Sequence, residues 1–240
     1  MQQIISGLKE LKLLGMASCL ENQEIMQQEL SFTEKLEFLV HYELTAKKNK
    51  KIMRLLANSN LRTKVKLEDI ESSEQRGLTR NHLLSLMRLE FLTNHQNLII
   101  TGATGCGKTH LACAIGTKVC TEGYTVKFVK LPIFLEEIQL HHQTGTFSKL
   151  LNKLIQYDLL ILDDFGLTNI DDTQLHDLFN IIDERYKLKS TIITSQLPTK
   201  SWHDYLKNPT LADAILDRLL SQSDKIELTG DSLRWDKKKK

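Results

Sequence analysis

The chain has 240 residues, a formal net charge of +2, 41% hydrophobic residues and 26% charged residues. This length accommodates one α/β domain with a smaller appendage, and the composition is typical of a soluble globular protein. No apolar run reaches the length of a membrane span and the start lacks a basic signal-peptide region, so we expect no membrane partner and a cytoplasmic location.

Residues 1–66 are predicted to form a small helical domain. Leu8, Leu11 and Leu14 share one apolar stripe, and residues 31–34, S-F-T-E, form a capping box that begins a second helix. The apolar residues that follow keep helical spacing.

A basic stretch at residues 47–66 holds eight lysines and arginines and no acid. Lys47, Lys48, Lys51 and Arg54 fit one face of a helix, which would suit the backbone phosphates of a nucleic acid. The alternative is a solvated helix end, since lysines favour helix C-termini.

Acidic and polar residues at 67–77 indicate a linker, and a helix over 78–92 is predicted to lead into a core domain. Beyond it, Cys106, Cys113 and Cys120 recur every seven residues, near one helical stripe. This spacing is wrong for zinc and favours a helix core, with reduced thiols in the cytoplasm.

Residues 102–109 carry the most informative pattern of the chain, G-x-x-x-x-G-K-T. The pattern follows an apolar strand-like run at 97–101 and opens a helix over 110–120, as a phosphate-binding loop requires. Glycines let backbone N–H groups surround phosphate oxygens, Lys108 would reach the outer phosphates, and Thr109 would ligate Mg²⁺. The predicted nucleotide-binding residues of this loop are Gly102, Ala103, Thr104, Gly105, Cys106, Gly107, Lys108, Thr109 and His110.

Strand and helix patterns alternate through the rest of the chain. Strands are predicted at 124–129, 158–164, 191–195 and 225–228, and helices at 133–140, 147–155, 171–188, 202–206 and 211–220. This alternation implies an α/β fold whose parallel sheet is covered by helices on both faces.

A second motif supports the phosphate loop. Residues 159–164 read L-L-I-L-D-D, the Walker B pattern, in which a buried strand carries an acid to the edge of the sheet beside the loop. Asp163 is predicted on the Mg²⁺ side, and Asp164 would polarise the attacking water.

The absence of two sequence motifs narrows the class of P-loop protein. No N-K-x-D guanine reader follows the predicted strands, and no arginine-rich lid typical of small-molecule kinases is visible. The second acid after Walker B favours an ATPase that activates water.

Residues 102–112 and the run L-L-I-L-D-D-F-G at 159–166 closely resemble the motifs of the IstB family. The resemblance extends over nearly the whole chain. These are helper ATPases of insertion-sequence transposition, related to the DnaC helicase loader within the AAA+ group. The resemblance implies a P-loop AAA+ core with ATP and Mg²⁺ as cofactors.

Family roles carry over to two further regions. The strand at 191–195 looks like the sensor 1 strand, and the residue that senses the γ-phosphate or orients water would be Ser195 or Gln196. Arg218 resembles the arginine finger, which would act on the ATP of a neighbouring subunit; an ion pair with Asp213 or Asp217 is the alternative.

The end of the chain resembles the family's closing D-S-x-R element, in which Arg234 would act like a sensor 2 arginine. Only about a dozen residues follow Leu228, so we expect no C-terminal helical lid. Asp164 also departs from the wider AAA+ group, which usually has Glu after the Walker B Asp.

The resemblance assigns four regions and a function. Residues 1–66 would bind DNA or a partner, 67–77 would be the linker, 78–230 the ATPase core, and 231–240 a C-terminal element with a basic tail. The predicted DNA-binding residues are Lys47, Lys48, Lys50, Lys51 and Arg54.

The implied protein is an ATPase that oligomerises on duplex DNA and assists the transposase of the same element. Two alternatives stay open: a replicative helicase loader like DnaC, and an adaptor that binds ATP without hydrolysing it.

Overall fold

A computed structural model of the protein describes residues 1–22 and 30–233. Contacts divide the chain into two compact units, Met1–Arg54 and Leu55–Lys240. From the sequence, the first domain is expected to end at residue 66. None of the described helices is long and apolar enough to span a membrane.

The first unit is helical, with α1 (Gln2–Glu10), α2 (Leu14–Glu21) and most of α3 (Phe32–Asn58). The predicted capping box is confirmed: the Ser31 N–H donates to Glu34 Oε2 at 2.8 Å, and the Glu34 N–H donates to Ser31 Oγ at 3.3 Å. The apolar stripe through Leu11 was wrong, because α1 ends before this residue and leaves its side chain 71% exposed.

Helices α2 and α3 cross closely at Gly15. A Cβ at this position would lie 2.7 Å from the Cα of Glu43, so a larger residue would push the helices apart. The buried Glu43 carboxylate accepts from the backbone N–H groups of Gly15 and Met16 at 2.7 and 3.1 Å. These donors lie in the first turn of α2, which has no intrahelical acceptor for them.

The second unit alternates strands with helices, as predicted. Its elements are α4 (Arg80–Arg88), α5 (Glu90–Thr93), β1 (Asn97–Gly102), α6 (Lys108–Thr121), β2 (Val126–Lys130), α7 (Leu131–Gln143), α8 (Phe147–Gln156), β3 (Leu159–Phe165), α9 (Asp172–Arg185), β4 (Ser190–Ser195), α10 (Trp202–Leu206), α11 (Pro209–Leu220) and β5 (Ser223–Leu228).

The five strands form one parallel sheet in the order β2-β3-β4-β1-β5. Successive side chains of a strand point to opposite faces of the sheet, so the apolar strands contribute side chains to two hydrophobic cores. On β3, Leu159 and Ile161 join the core beneath α4, α5 and α6, whereas Leu160 and Leu162 join the core beneath α7 to α11. Helices therefore cover both faces, which confirms the predicted α/β architecture.

Two expectations ahead of β1 need revision. The helix predicted over 78–92 is split into α4 and α5, because Leu89 adopts a left-handed conformation with φ of 56°. The predicted linker is packed onto the core: Leu67 is fully buried, and Ser73 pairs with Leu78 in an isolated antiparallel bridge.

Two of the three cysteines expected in a helix core lie in a helix. Cys113 and Cys120 belong to α6, whereas Cys106 lies in the loop before it, and all three are buried and free in the core beneath α4, α5 and α6. The carboxyl ends of β1, β3 and β4 lie side by side at one edge of the sheet, where the predicted site residues follow.

Candidate functional site

The glycine loop connects β1 to α6. Gly102, Gly105 and Gly107 have φ values of 145°, 86° and 103°, which other residues rarely adopt. A Cβ at Gly102 would lie 2.2 Å from the carbonyl oxygen of Leu228 in β5. Gly107 is the N-cap of α6, so the unpaired N–H groups of the first helical turn face this loop.

Lys108 is the first residue of α6 and is buried. Its ammonium group donates hydrogen bonds to the carbonyl oxygens of Gly102 and Ala103, each at 2.8 Å. Both acceptors are neutral, so the full positive charge is held within the loop. His110, also predicted to bind nucleotide, is exposed in the first turn of α6.

Asp163 lies at the carboxyl end of β3 and is fully buried. Its Oδ1 atom accepts from the hydroxyl groups of Thr109 at 2.8 Å and Thr194 at 2.6 Å. Burial raises the pKa of Asp163, the hydrogen bonds from Thr194 and Thr109 lower it, and the charge of Asp164 raises it again.

The other carboxylate oxygen, Asp163 Oδ2, is buried without a hydrogen-bond partner among the described residues. Such an atom costs about 1–3 kcal/mol unless it is satisfied. Oxygen ligands from a carboxylate and a hydroxyl are those that Mg²⁺ prefers. The pair of Thr109 and Asp163 therefore fits the cation that the sequence analysis predicted.

Asp164 occupies an irregular position in the sheet. The register of β3 against β4 shifts between Leu162 and Phe165, and Asp164 within this shift has φ of 65°. Its carboxylate lies 3.6 Å from the ammonium of Lys130, which ends β2. Bulges and left-handed residues of this kind redirect side chains near active sites.

Thr194 was not predicted as a site residue, yet it joins the two acids. Its hydroxyl accepts from the backbone N–H of Asp164 at 3.1 Å and donates to Asp163 Oδ1 at 2.6 Å. The available signal was a threonine inside an apolar strand, whereas the sequence analysis considered only the residues at and beyond the strand end.

Ser195 and Gln196 occupy different environments. Ser195 is buried, donates to the carbonyl oxygen of Phe165 at 2.7 Å and accepts from the N–H of Leu197 at 3.0 Å, so it stabilises the turn. Gln196 is exposed, and its Oε1 accepts from the hydroxyl of Thr104 at 2.7 Å. Of the two, Gln196 contacts the glycine loop.

Arg218 lies in α11 with its side chain partly buried. The guanidinium forms an ion pair with Asp183 of α9 and lies 4.9 Å from the ring centroid of Phe179. An ion pair was the alternative for this residue, with Asp213 or Asp217, but its partner in the structure is Asp183.

The position of Arg218 in the fold is remote from the glycine loop. Its carbonyl oxygen accepts from the side-chain amide of Asn97 at 3.1 Å, and Asn97 is the first residue of β1. The loop follows the last residue of this six-residue strand, about 16 Å away along its axis. Within the chain, Arg218 and Lys108 therefore lie at opposite ends of the sheet's strands.

Residues near the end of the chain reach the loop. The N–H of Leu233 donates to the carbonyl oxygen of Gly105 at 3.1 Å. Arg76, assigned only to the linker by the sequence analysis, donates to the carbonyl oxygen of Cys106 at 3.3 Å. Arg234 and the basic tail lie outside the described residues.

The residues predicted to bind DNA lie on α3 in the first unit, and all are exposed. These residues are Lys47, Lys48, Lys50, Lys51 and Arg54. Lys47 also lies 3.3 Å from the carboxylate of Glu43. Their separation along the helix places Lys47, Lys51 and Arg54 on one face.

A glycine loop followed by Lys-Thr, facing a buried aspartate across a parallel sheet of this strand order, defines a P-loop ATP-binding protein of the AAA+ class. The model of the IstB-like ATP-binding protein family matches residues 6–240. The chain therefore belongs to this family, which confirms the resemblance.

Relatives and solved structures agree with this membership. An insertion sequence ATP-binding protein of Sinorhizobium fredii is 37% identical over 240 residues, covering 98% of this chain and 97% of its own. The DnaC helicase loader has the same fold, with a TM-score of 0.57 and 22% identity over 68% of this chain and 96% of its own. The replication initiator DnaA, bound to AMPPCP and single-stranded DNA, gives a TM-score of 0.59 and 25% identity over 75% of this chain and 56% of its own.

Proposed function

We propose that the protein is a Mg²⁺-dependent ATPase that assembles on duplex DNA and assists a transposase in insertion-sequence transposition. The observation that carries the enzymatic part is Asp163 Oδ2, which has no hydrogen-bond partner among the described residues and is buried beside Thr109 at the end of the phosphate loop. A cation that arrives with the nucleotide would satisfy this oxygen.

Each residue of the site has a separate role in ATP hydrolysis. Lys108 and the backbone N–H groups of the loop hold the phosphates, and Thr109 with Asp163 would hold Mg²⁺. When bound, the cation neutralises charge on the phosphate oxygens. Asp164 accepts a proton from the attacking water. Gln196, which is hydrogen-bonded to Thr104 of the glycine loop, orients that water.

Arg218 supports a catalytic site shared between subunits. The length of β1 separates this residue from the loop of its own subunit, so as an arginine finger it serves a neighbouring subunit. Release from Asp183 upon assembly would free the guanidinium for the γ-phosphate, since a bidentate fork suits phosphate oxygens as well as a carboxylate.

DNA binding is assigned to the exposed basic face of α3. Lys47, Lys51 and Arg54 repeat along this face, and Lys48 and Lys50 flank it. Amine contacts to the phosphate backbone tolerate any base sequence, which suits a protein that assembles on varied target DNA.

A transposase is proposed as the partner because the relatives are named as insertion sequence proteins. The likeness to the DnaC loader concerns the fold alone. Strand transfer by a transposase encoded in the same element, measured with and without this protein and ATP, tests the assignment. We expect stimulation by the wild type and none by Lys108→Ala. Unchanged strand transfer, with stimulated loading of a replicative helicase instead, would favour the loader.

Hydrolysis is tested separately from ATP binding. Phosphate release at saturating ATP and duplex DNA is expected for the wild type and lost in Asp164→Asn. ATP binding without phosphate release under these conditions would identify an adaptor.

A further inference from the structure

A polar cleft with a volume of about 410 Å³ lies along β2, an edge strand of the sheet. The described residues that line it come from residues 55–60, the start of β2 and α8. They are Leu55, Ala57, Asn58, Asn60, Thr125, Val126, Lys127, Lys153 and Tyr157. None of them belongs to the phosphate site.

One wall of the cleft is held in place by the core. The backbone N–H of Phe128 in β2 donates to the carbonyl oxygen of Ser59 at 2.8 Å. Ser59 is fully buried, and Leu56 and Leu61 on either side of it pack against the core beneath α6. Asn58 and Asn60 therefore lie on either side of Ser59, which is held against the edge strand β2.

The opposite wall supplies two ammonium groups. Neither Lys127 nor Lys153 forms an ion pair with a carboxylate among the described residues. Burial lowers the pKa of Lys127, the charge of Glu137 raises it, and the like charge of Lys153 lowers it.

The acid nearest to the cleft in sequence is already satisfied. Asp158, next to Tyr157, accepts from Lys189 at 2.6 Å and from the N–H and hydroxyl of Thr125 at 2.9 and 2.8 Å. Glu137 acts on Lys127 through its charge but forms no ion pair with it among the described residues, so the two like charges in this polar cleft are stabilised further by an anion.

We propose that this cleft binds the phosphodiester backbone of DNA, with Lys127 and Lys153 on the phosphates and the amides of Asn58 and Asn60 as uncharged donors. The inference rests on the proposed function and extends its DNA contact from α3 to the core. A DNA strand fits better than a free nucleotide because the exposed Arg62, Lys64 and Lys66 follow the two asparagines within the same unit and offer further contacts along a backbone.

The experiment measures the affinity of the full chain for a fluorescent duplex by anisotropy, with saturating ATP analogue, over a series of salt concentrations. Lys127→Gln/Lys153→Gln is expected to reduce the slope of log affinity against log salt by about 1.8, at ~0.9 per phosphate contact. Lys127→Arg/Lys153→Arg should retain the wild-type slope, because both charges remain.

A matched control removes two exposed lysines elsewhere. Lys225 lies on β5, the opposite edge strand, and Lys200 lies in the short turn before α10. Lys200→Gln/Lys225→Gln should leave the slope within ~0.3 of the wild type if the contacts are local. The single variant Lys153→Gln, at an exposed position that core packing does not need, should lose about 0.9 and guards against a folding defect of the double variant.

The outcomes separate this inference from the function on which it rests. If the wild type binds DNA and the slope is unchanged in Lys127→Gln/Lys153→Gln and in Lys153→Gln, the assignment of the cleft alone would be overturned. Absence of DNA binding by the wild type would overturn the proposed function and the cleft together. A slope unchanged for DNA but a reduced ATP stoichiometry in Lys127→Gln/Lys153→Gln would show that the cleft takes a free nucleotide, which also contradicts the proposal.

Discussion

The hydroxyl of Thr109 donates a 2.8 Å hydrogen bond to Asp163 Oδ1, so the first turn of α6 is tied to the end of β3. The bond occupies one carboxylate oxygen and leaves the other, Oδ2, buried without a partner among the described residues. A hydroxyl and a carboxylate held together in this way form half of a cation site before any cation arrives.

Asp163→Asn should abolish Mg²⁺-dependent turnover without lowering stability. The amide keeps an oxygen for Thr109 and Thr194 but removes a buried charge, so the melting temperature without nucleotide is expected to equal or exceed that of the wild type. Calorimetry and phosphate release check the two parts. A large loss of melting temperature would show that the carboxylate is structural.

The pH dependence of cation binding follows from the raised pKa of Asp163. The cation needs the carboxylate form, so its affinity should fall as the pH drops through a value above the ordinary one for Asp. The sign for stability is opposite: a raised folded-state pKa means that the folded state binds the proton more tightly, so this contribution is lost as the pH rises through that value. Titration of Mg²⁺ affinity against pH checks the first expectation.

Lys108→Ala should weaken ATP binding about 10- to 100-fold, the worth of a charge-assisted hydrogen bond to phosphate. The exposed Lys187 provides the matched control, because it precedes β4 at the opposite ends of the strands and Lys187→Ala removes a charge away from the loop. Fluorescence titration with an ATP analogue measures both variants. Equal affinities would contradict the assignment of the loop.

The alternation of strands and helices, the glycine loop and the Walker B acids were all predictable, because each depends on a local pattern of apolar residues and glycines. The break at Leu89 was not, since leucine rarely adopts a left-handed conformation and tertiary packing must impose it. The packing of residues 67–77 onto the core was also missed, because most of these residues are polar and the burial of Leu67 depends on the distant α6.

Thr194→Val should lower turnover while leaving ATP binding nearly unchanged. The substitution keeps the shape but removes the hydroxyl that accepts from the Asp164 N–H and donates to Asp163. Two lost hydrogen bonds of ~1 kcal/mol each predict a fall of roughly 10- to 30-fold. Thr194→Ser restores the hydroxyl and should recover most of the activity; equal rates for the valine and serine variants would exclude this role.

This role of Thr194 was missed because sequence order does not show a register shift. A straight β3 would alternate Asp163 and Asp164 across the sheet, whereas the shift between Leu162 and Phe165 brings both acids to the threonine of β4. Residues whose role depends on pairing between strands become visible only in the folded chain.

Arg218→Ala should retain ATP binding and lose turnover by a factor of ~10³ or more, as for other arginine fingers. The decisive measurement mixes this variant with Asp164→Asn. Neither hydrolyses ATP alone, but a mixed assembly pairs an intact Asp164 in one subunit with an intact Arg218 in the next, so partial activity is expected. A mixture as inactive as its components would contradict a finger that acts between subunits.

The cysteines should resist alkylation in the folded protein. All four are buried, and burial raises the pKa of Cys120 to about 11, so only ~0.1% of this thiol is ionised at pH 8. Mass spectrometry after iodoacetamide treatment should find slow modification in buffer and rapid modification of all four in urea. Rapid native labelling of Cys106 would show that the loop opens on its own.

We infer that one subunit supplies the phosphate loop and that its neighbour completes the catalytic site on DNA. ATP hydrolysis per subunit, measured over a range of protein concentrations with and without duplex DNA, tests it most directly. We expect the rate per subunit to rise steeply with protein concentration, and to rise at lower protein concentration when DNA is present. A rate per subunit that is independent of both would contradict it.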